Sequence, residues 1–142
     1  MSDHKLELLA RRSVEAFDRG DWDDVRALAG AGYVYEEIGT GRRYEGIEAT
    51  ITALQEWKSA FPDASGEVMR VVTEGDTTVM EIVWRGTHSG PLQTPAGTVP
   101  PTGRQMEVWA SMWHRWEDGR VVAERHHLDV LTMMGQLGLL PV

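Results

Sequence analysis

The chain has 142 residues, 42% of them hydrophobic and 25% charged, with a net charge of −8 and no cysteine. That length and balance fit one globular domain with a real core, while the acidity argues against nucleic acid and anionic membrane surfaces, which are bound through Lys and Arg. The missing cysteines exclude a disulfide framework, a cysteine nucleophile and a cysteine-ligated metal, and fit a cytoplasmic protein.

The N-terminal MSDHKLELLARR lacks the apolar core of a secretory signal, and no apolar run approaches the ~18 residues of a membrane span. Residues 3–19 place Leu6, Leu9, Val14 and Phe17 at helical spacing, and Gly20 stops this helix. Asp21 caps a second short helix over Trp22–Ala29, with Asp23 and Asp24 in its first turn where the helix dipole favours them. Tyr33–Ile38 is expected as a strand, closed by Gly39-Thr40-Gly41. A third helix follows over Ile47–Phe61 and ends at Phe61-Pro62-Asp63, because proline disfavours helix in the residue before it.

From there the chain turns to strands. Ser65–Thr73 and Thr77–His88 are joined by the turn Glu74-Gly75-Asp76. A loop rich in Pro, Gly and Thr, Ser89–Gly103, is placed to cover a pocket mouth. Arg104–Trp116 and Arg120–Leu128 are strands separated by Glu117-Asp118-Gly119, and a final helix covers Val130–Leu137. No repeat or linker divides the chain, so one domain spans 1–142. Helices early and strands late predict an α+β fold: a curved antiparallel or mixed sheet with helices packed on its concave face.

Alternation gives the inward face. In the 77–88 strand Met80, Ile82 and Trp84 share a parity; in the 104–116 strand Met106, Val108, Ala110, Met112, His114 and Trp116 do. His88 and His114 therefore face the interior. The last strand is mixed, with Glu124 and His126 on one parity and Arg125, His127 and Asp129 on the other, so polar groups are expected inside. His126 and His127 are adjacent and point to opposite faces; parity with Asp129 selects His127 for a pocket. Three titratable groups ending a strand beside Met and Leu make an acid/base site at the mouth of an apolar pocket. Asp129 has a second reading, since it sits where an N-cap belongs. Six Trp and seven Met are many for this length. They serve plain core packing or an aromatic, thioether-lined cavity, with Trp57, Trp84 and Met112 as its wall. No phosphate loop, Gly-x-Ser-x-Gly elbow or His-Glu-x-x-His is present.

Several motifs occur in one order: the Phe61-Pro62-Asp63 helix end, Arg85-Gly86-Thr87-His88-Ser89-Gly90, Pro100-Pro101-Thr102-Gly103-Arg104, Glu117-Asp118-Gly119-Arg120-Val121-Val122, and Asp129-Val130-Leu131 followed by Gln136-Leu137-Gly138-Leu139-Leu140-Pro141. Together they resemble the SnoaL-like polyketide cyclase family, in the cone-shaped superfamily of nuclear transport factor 2 and ketosteroid isomerase. The resemblance implies a cofactor-free and metal-free enzyme closing a ring of an aromatic polyketide, as in antibiotic biosynthesis, by intramolecular aldol condensation. It implies Asp129 as general acid/base and His114 as its assistant, with Tyr35, Trp57, Trp84, His88, Met112 and His127 about a small hydrophobic polyketide-like ligand. The sequence departs from the family at Arg125, where many members have tryptophan, and at Tyr35-Glu36, where many have Asp-His. Two alternatives stand beside the cyclase: a related hydroxylase, isomerase or hydrolase on a flat apolar substrate, and a non-catalytic ligand-binding or dimerisation module. The outward row Trp109, Ser111, Trp113 suits a homodimer or homotetramer interface.

Overall fold

A computed structural model describes residues 1–141; Val142, the last residue of the expected domain, lies outside the described residues. The first helix, α1 (Asp3–Arg19), is capped by Ser2, whose hydroxyl accepts the Lys5 N–H. It ends at Gly20, whose φ of 64° is the left-handed turn that glycine adopts without strain. Asp21 caps α2 (Trp22–Leu28) by accepting the Asp24 N–H. Strands β1 (Ala29–Ile38) and β2 (Arg42–Glu45) follow, then α3 (Ile47–Ala60), which stops one residue before Phe61-Pro62. After β3 (Ser65–Glu74) and β4 (Thr77–Thr87) come β5 (Leu92–Thr94) and β6 (Gly97–Val99). The chain finishes with β7 (Gln105–Glu117), β8 (Arg120–Leu128) and α4 (Val130–Gln136).

The molecule is α+β, with a curved sheet in the order β2-β1-β8-β7-β4-β3. The β1–β8 pair is parallel and the other pairs are antiparallel, so the sheet is mixed. The last strand lies between the first and the seventh. Helix α1 packs on β3 and β4, α3 on β1, and α4 on β7. The alternation expected for β7 holds: Met106, Val108, Ala110, Met112, His114 and Trp116 are all buried. All of them but His114 share one hydrophobic core with Leu6, Ala10 and Val14 of α1, Tyr33 and Tyr35 of β1, and Met80, Ile82 and Trp84 of β4.

Three local features differ from the expectation. β1 starts at Ala29, with an irregular register between Ala29 and Val34. β2 is a four-residue edge strand, too short for a periodic signal. The 89–103 segment holds the β5–β6 hairpin, anchored by buried Leu92. Where this segment crosses the end of α3, a Cβ on Gly90 would stand 1.8 Å from the Ser59 carbonyl oxygen. Only glycine permits that approach.

Candidate active site

Between the helices and the inner face of the sheet lies a cavity of about 90 Å³. Its walls are apolar: Phe17 from α1, Leu54 and Trp57 from α3, Trp84 from β4, Met106 and Met112 from β7. It is tight beside the roughly 300–1,000 Å³ of ordinary ligand pockets, so what enters depends on how the walls are held. One wall is polar. Strand register puts Tyr35, Glu124 and His114 in one row across β1, β8 and β7, and Glu37, His126 and Met112 in the next.

A hydrogen-bond chain joins Glu37 and His126 of the second row through Tyr35 of the first, and every member of it has a partner. The Trp84 indole N–H donates to His126 Nε2 at 3.1 Å. An indole is donor-only, so the ring proton of His126 is on Nδ1, an assignment made from the network. His126 Nδ1 lies 3.2 Å from the Tyr35 hydroxyl and donates to it. Tyr35 in turn donates to Glu37 Oε2 at 3.0 Å. Glu37, 1% exposed, also accepts the Trp57 indole N–H at 2.7 Å and the Thr40 hydroxyl at 2.8 Å. Three donors thus compensate a carboxylate that burial would otherwise penalise. Burial pushes the His126 imidazole down, and burial with the Glu37 charge pushes the Tyr35 hydroxyl well above its usual value.

The rest of the first row, Glu124 and His114, is left open. Tyr33 donates its hydroxyl to Glu124 Oε2. Glu124 Oε1 stands 3.2 Å from His114 Nε2, without the alignment of a full hydrogen bond, and His114 Nδ1 has no hydrogen-bond partner among the described residues. His114 is 1% exposed and lines the cavity. Burial alone would raise the Glu124 carboxyl, but His114, Tyr33 and His126 outweigh it and hold that carboxyl below the usual range. Burial and the Glu124 charge push Tyr33 well up.

Of the residues expected from the sequence, His114, Tyr35, Trp57, Trp84 and Met112 all line the cavity. His88 is buried but is not part of the cavity lining. Its Nδ1 accepts the Thr102 N–H at 3.2 Å and its ring packs on Phe61, so it clamps the 89–103 segment. His127 needs correction: it is exposed on the outer face against Trp113, and His126 is the inward histidine. The surroundings expected for Asp129 need correction too. Its carboxylate is exposed and caps α4, accepting the Thr132 N–H at 3.1 Å and the Thr132 hydroxyl at 2.7 Å. Those two bonds hold it below the usual range rather than raising it. The strand has ended at Leu128, so parity does not carry across to Asp129. Tyr33, Glu37, Glu124 and His126 escaped the sequence reading. The signal for the first two was the shared parity of Tyr33, Tyr35 and Glu37 on β1. Among the described residues no group of three or more His, Asp or Glu side chains is arranged to hold a metal ion, and no helix is long and apolar enough to cross a membrane.

A family profile described as SnoaL-like polyketide cyclase matches residues 7–137. No curated protein sequence matches the chain. Among solved structures, the candidate polyketide cyclase IdmH from Streptomyces antibioticus is 31% identical, with 94% of this chain and 98% of that one covered and a TM-score of 0.80. A candidate SnoaL-like polyketide cyclase from Jannaschia sp. CCS1 shares the fold at 24% identity, 99% and 98% coverage and a TM-score of 0.87. The candidate hydroxylase AclR from Streptomyces galilaeus does so at 23% identity, 99% and 100% coverage and a TM-score of 0.84.

Proposed function

The chain belongs to the SnoaL-like polyketide cyclase family, and from that premise we propose that it closes a ring of a flat polyketide-like substrate by intramolecular aldol condensation in the cavity. One observation carries the reading: a buried histidine on the cavity wall has a carboxylate against one nitrogen and no partner on the other. Glu124 favours the tautomer of His114 with its proton on Nε2, which leaves the Nδ1 lone pair as base. His114 takes a proton from a carbon acid flanked by carbonyls, and the substrate's own ring system spreads the resulting enolate. The carbanion adds to a ketone of the same molecule, and the imidazolium returns the proton to the new alkoxide. One C–H bond and the π bond of the ketone break, one C–C and one O–H bond form, and mass is unchanged. Folding the two reacting carbons together in a tight apolar space lowers the barrier by up to about 7–11 kcal/mol.

Asp129 stands as the rival base, because Leu128 and Met133 on either side of it both line the cavity. We also propose that a second copy of the chain covers the outer face, where Trp109 is 51% and Trp113 38% exposed; a monodisperse monomer at micromolar concentration in sedimentation would refute that. The test of the reaction is incubation with an anthraquinone-type polyketide methyl ester, followed by absorbance and mass, for wild type, His114→Asn and Asp129→Asn. Mass-neutral closure lost in His114→Asn and kept in Asp129→Asn supports the reading. The opposite pattern moves the base to Asp129. An increase in mass by oxygen points to the hydroxylase or hydrolase alternative, and binding without turnover in wild type points to a non-catalytic module.

A further inference from the structure

The closed hydrogen-bond chain does more than satisfy itself: both of its indole donors belong to cavity walls. Trp84 comes from the sheet and Trp57 from the helical layer, and each is fixed by its only polar atom, Trp84 on His126 Nε2 and Trp57 on Glu37 Oε2. The two acceptors are joined through one hydroxyl, that of Tyr35, which takes the His126 proton and gives its own to Glu37. Because an indole only donates, the direction of the whole chain is forced from the Trp84 end. Two aromatic walls from two layers are thereby tied to each other through β1 and β8.

We propose that His126 and Glu37 are specificity-determining positioning residues, which lock the Trp84 and Trp57 planes so that the cavity selects planar fused-ring ligands over twisted aromatic ones. The inference rests on the reading of the cavity as a ligand site. An indole ring without its polar anchor still packs, but it turns about its side-chain torsions, and a tight cavity then changes shape. The chemistry of the acceptors also predicts which replacements work. In Glu37→Gln the amide oxygen accepts from Trp57 and Tyr35, while the amide nitrogen donates to Thr40, so the walls stay locked without the charge. Glu37→Leu provides no acceptor. His126→Phe keeps a flat ring and removes both of its bonds.

The experiment has two readouts on the full chain. The indole N–H resonances of 15N-labelled protein, assigned through Trp57→Phe and Trp84→Phe, report the locks directly. Titration with 1,8-dihydroxyanthraquinone, which is planar, and benzophenone, which is twisted, reports selectivity. His126→Phe is expected to shift the Trp84 resonance and expose it to solvent exchange, and Glu37→Leu the Trp57 resonance. Each is expected to cut the planar-over-twisted preference about tenfold, the worth of one hydrogen bond in affinity. Glu37→Gln keeps both resonances and the preference, which separates locking from loss of folding. If wild type prefers the planar probe and the preference survives His126→Phe and Glu37→Leu, the inference is wrong while the cavity reading stands. If wild type binds neither probe, the cavity reading itself falls and takes the inference with it.

Discussion

His114 and His126 lie in adjacent rows of the same inner face, and they are treated in opposite ways. His126 has both ring nitrogens engaged, in a chain that ends on a carboxylate with three donors. His114 has a carboxylate close to one nitrogen and nothing on the other. A buried polar group without a partner is costly, and the two neighbours differ in that cost: among the described residues His126 is fully satisfied and His114 is not. On the proposed reading the two sets divide the work: the satisfied set fixes the shape of the cavity and the unsatisfied set carries the reaction.

The comparison is broken most decisively through Glu124. Glu124→Gln keeps the shape of the open set but removes the charge behind His114. It is expected to lower kcat by about 10²–10⁴, the usual worth of general acid/base catalysis, with KM little changed; an effect confined to KM would assign Glu124 to binding. Next in size is Tyr35→Phe, which strands the His126 Nδ1–H and removes one donor from Glu37. A loss of about 1–3 kcal/mol per stranded group is expected in urea unfolding, and a variant as stable as wild type would mean that the set is not truly closed.

Acidity sharpens the contrast further. Burial depresses the folded-state pKa of His126 and of His88 from the ordinary 6.5. The unfolded chain therefore binds protons that the folded chain refuses. The stability tied to these rings is fully present above about 6.5 and is lost as the pH falls from there through the depressed values. Glu124, held below 4.5, adds a further loss at lower pH. Thermal midpoints should fall on acidification from pH 7, and His126→Phe should flatten the first part of that fall. The smallest effect is expected at Asp129. Asp129→Ala removes an N-cap and should lower the thermal midpoint only slightly, with ring closure retained.

The sequence carried the fold well where one element decides its own pattern. The helix stops at Gly20 and Phe61-Pro62, and the alternation of β7, were all visible because they depend on neighbours within a few residues. The parallel β1–β8 pair was not, since its partners are distant in the chain. The candidate site divides in the same way. His114, Trp84 and Met112 stood on a clean apolar face, so their inward direction followed from period two. Glu37 did not, because a buried carboxylate makes sense only with Trp57 from α3 and Thr40 from a turn in place. His127 was selected over His126 by extending strand parity to a residue that already belongs to the cap of α4.

The position of β8 in the middle of the sheet has a consequence in time. Tyr33 with Glu124, and Tyr35 with His126, are each 91 residues apart. Contacts of that separation form late, because loop closure must be met before they reward it. β1 is therefore expected to keep one edge unpaired until β8 emerges, whereas β3, β4 and β7 pair with one another without it. Only with β8 between β1 and β7 are the open and closed sets complete. On the proposed reading, reaction and ligand selectivity both depend on β8, and a chain released before it would lack Glu124 and His126 together.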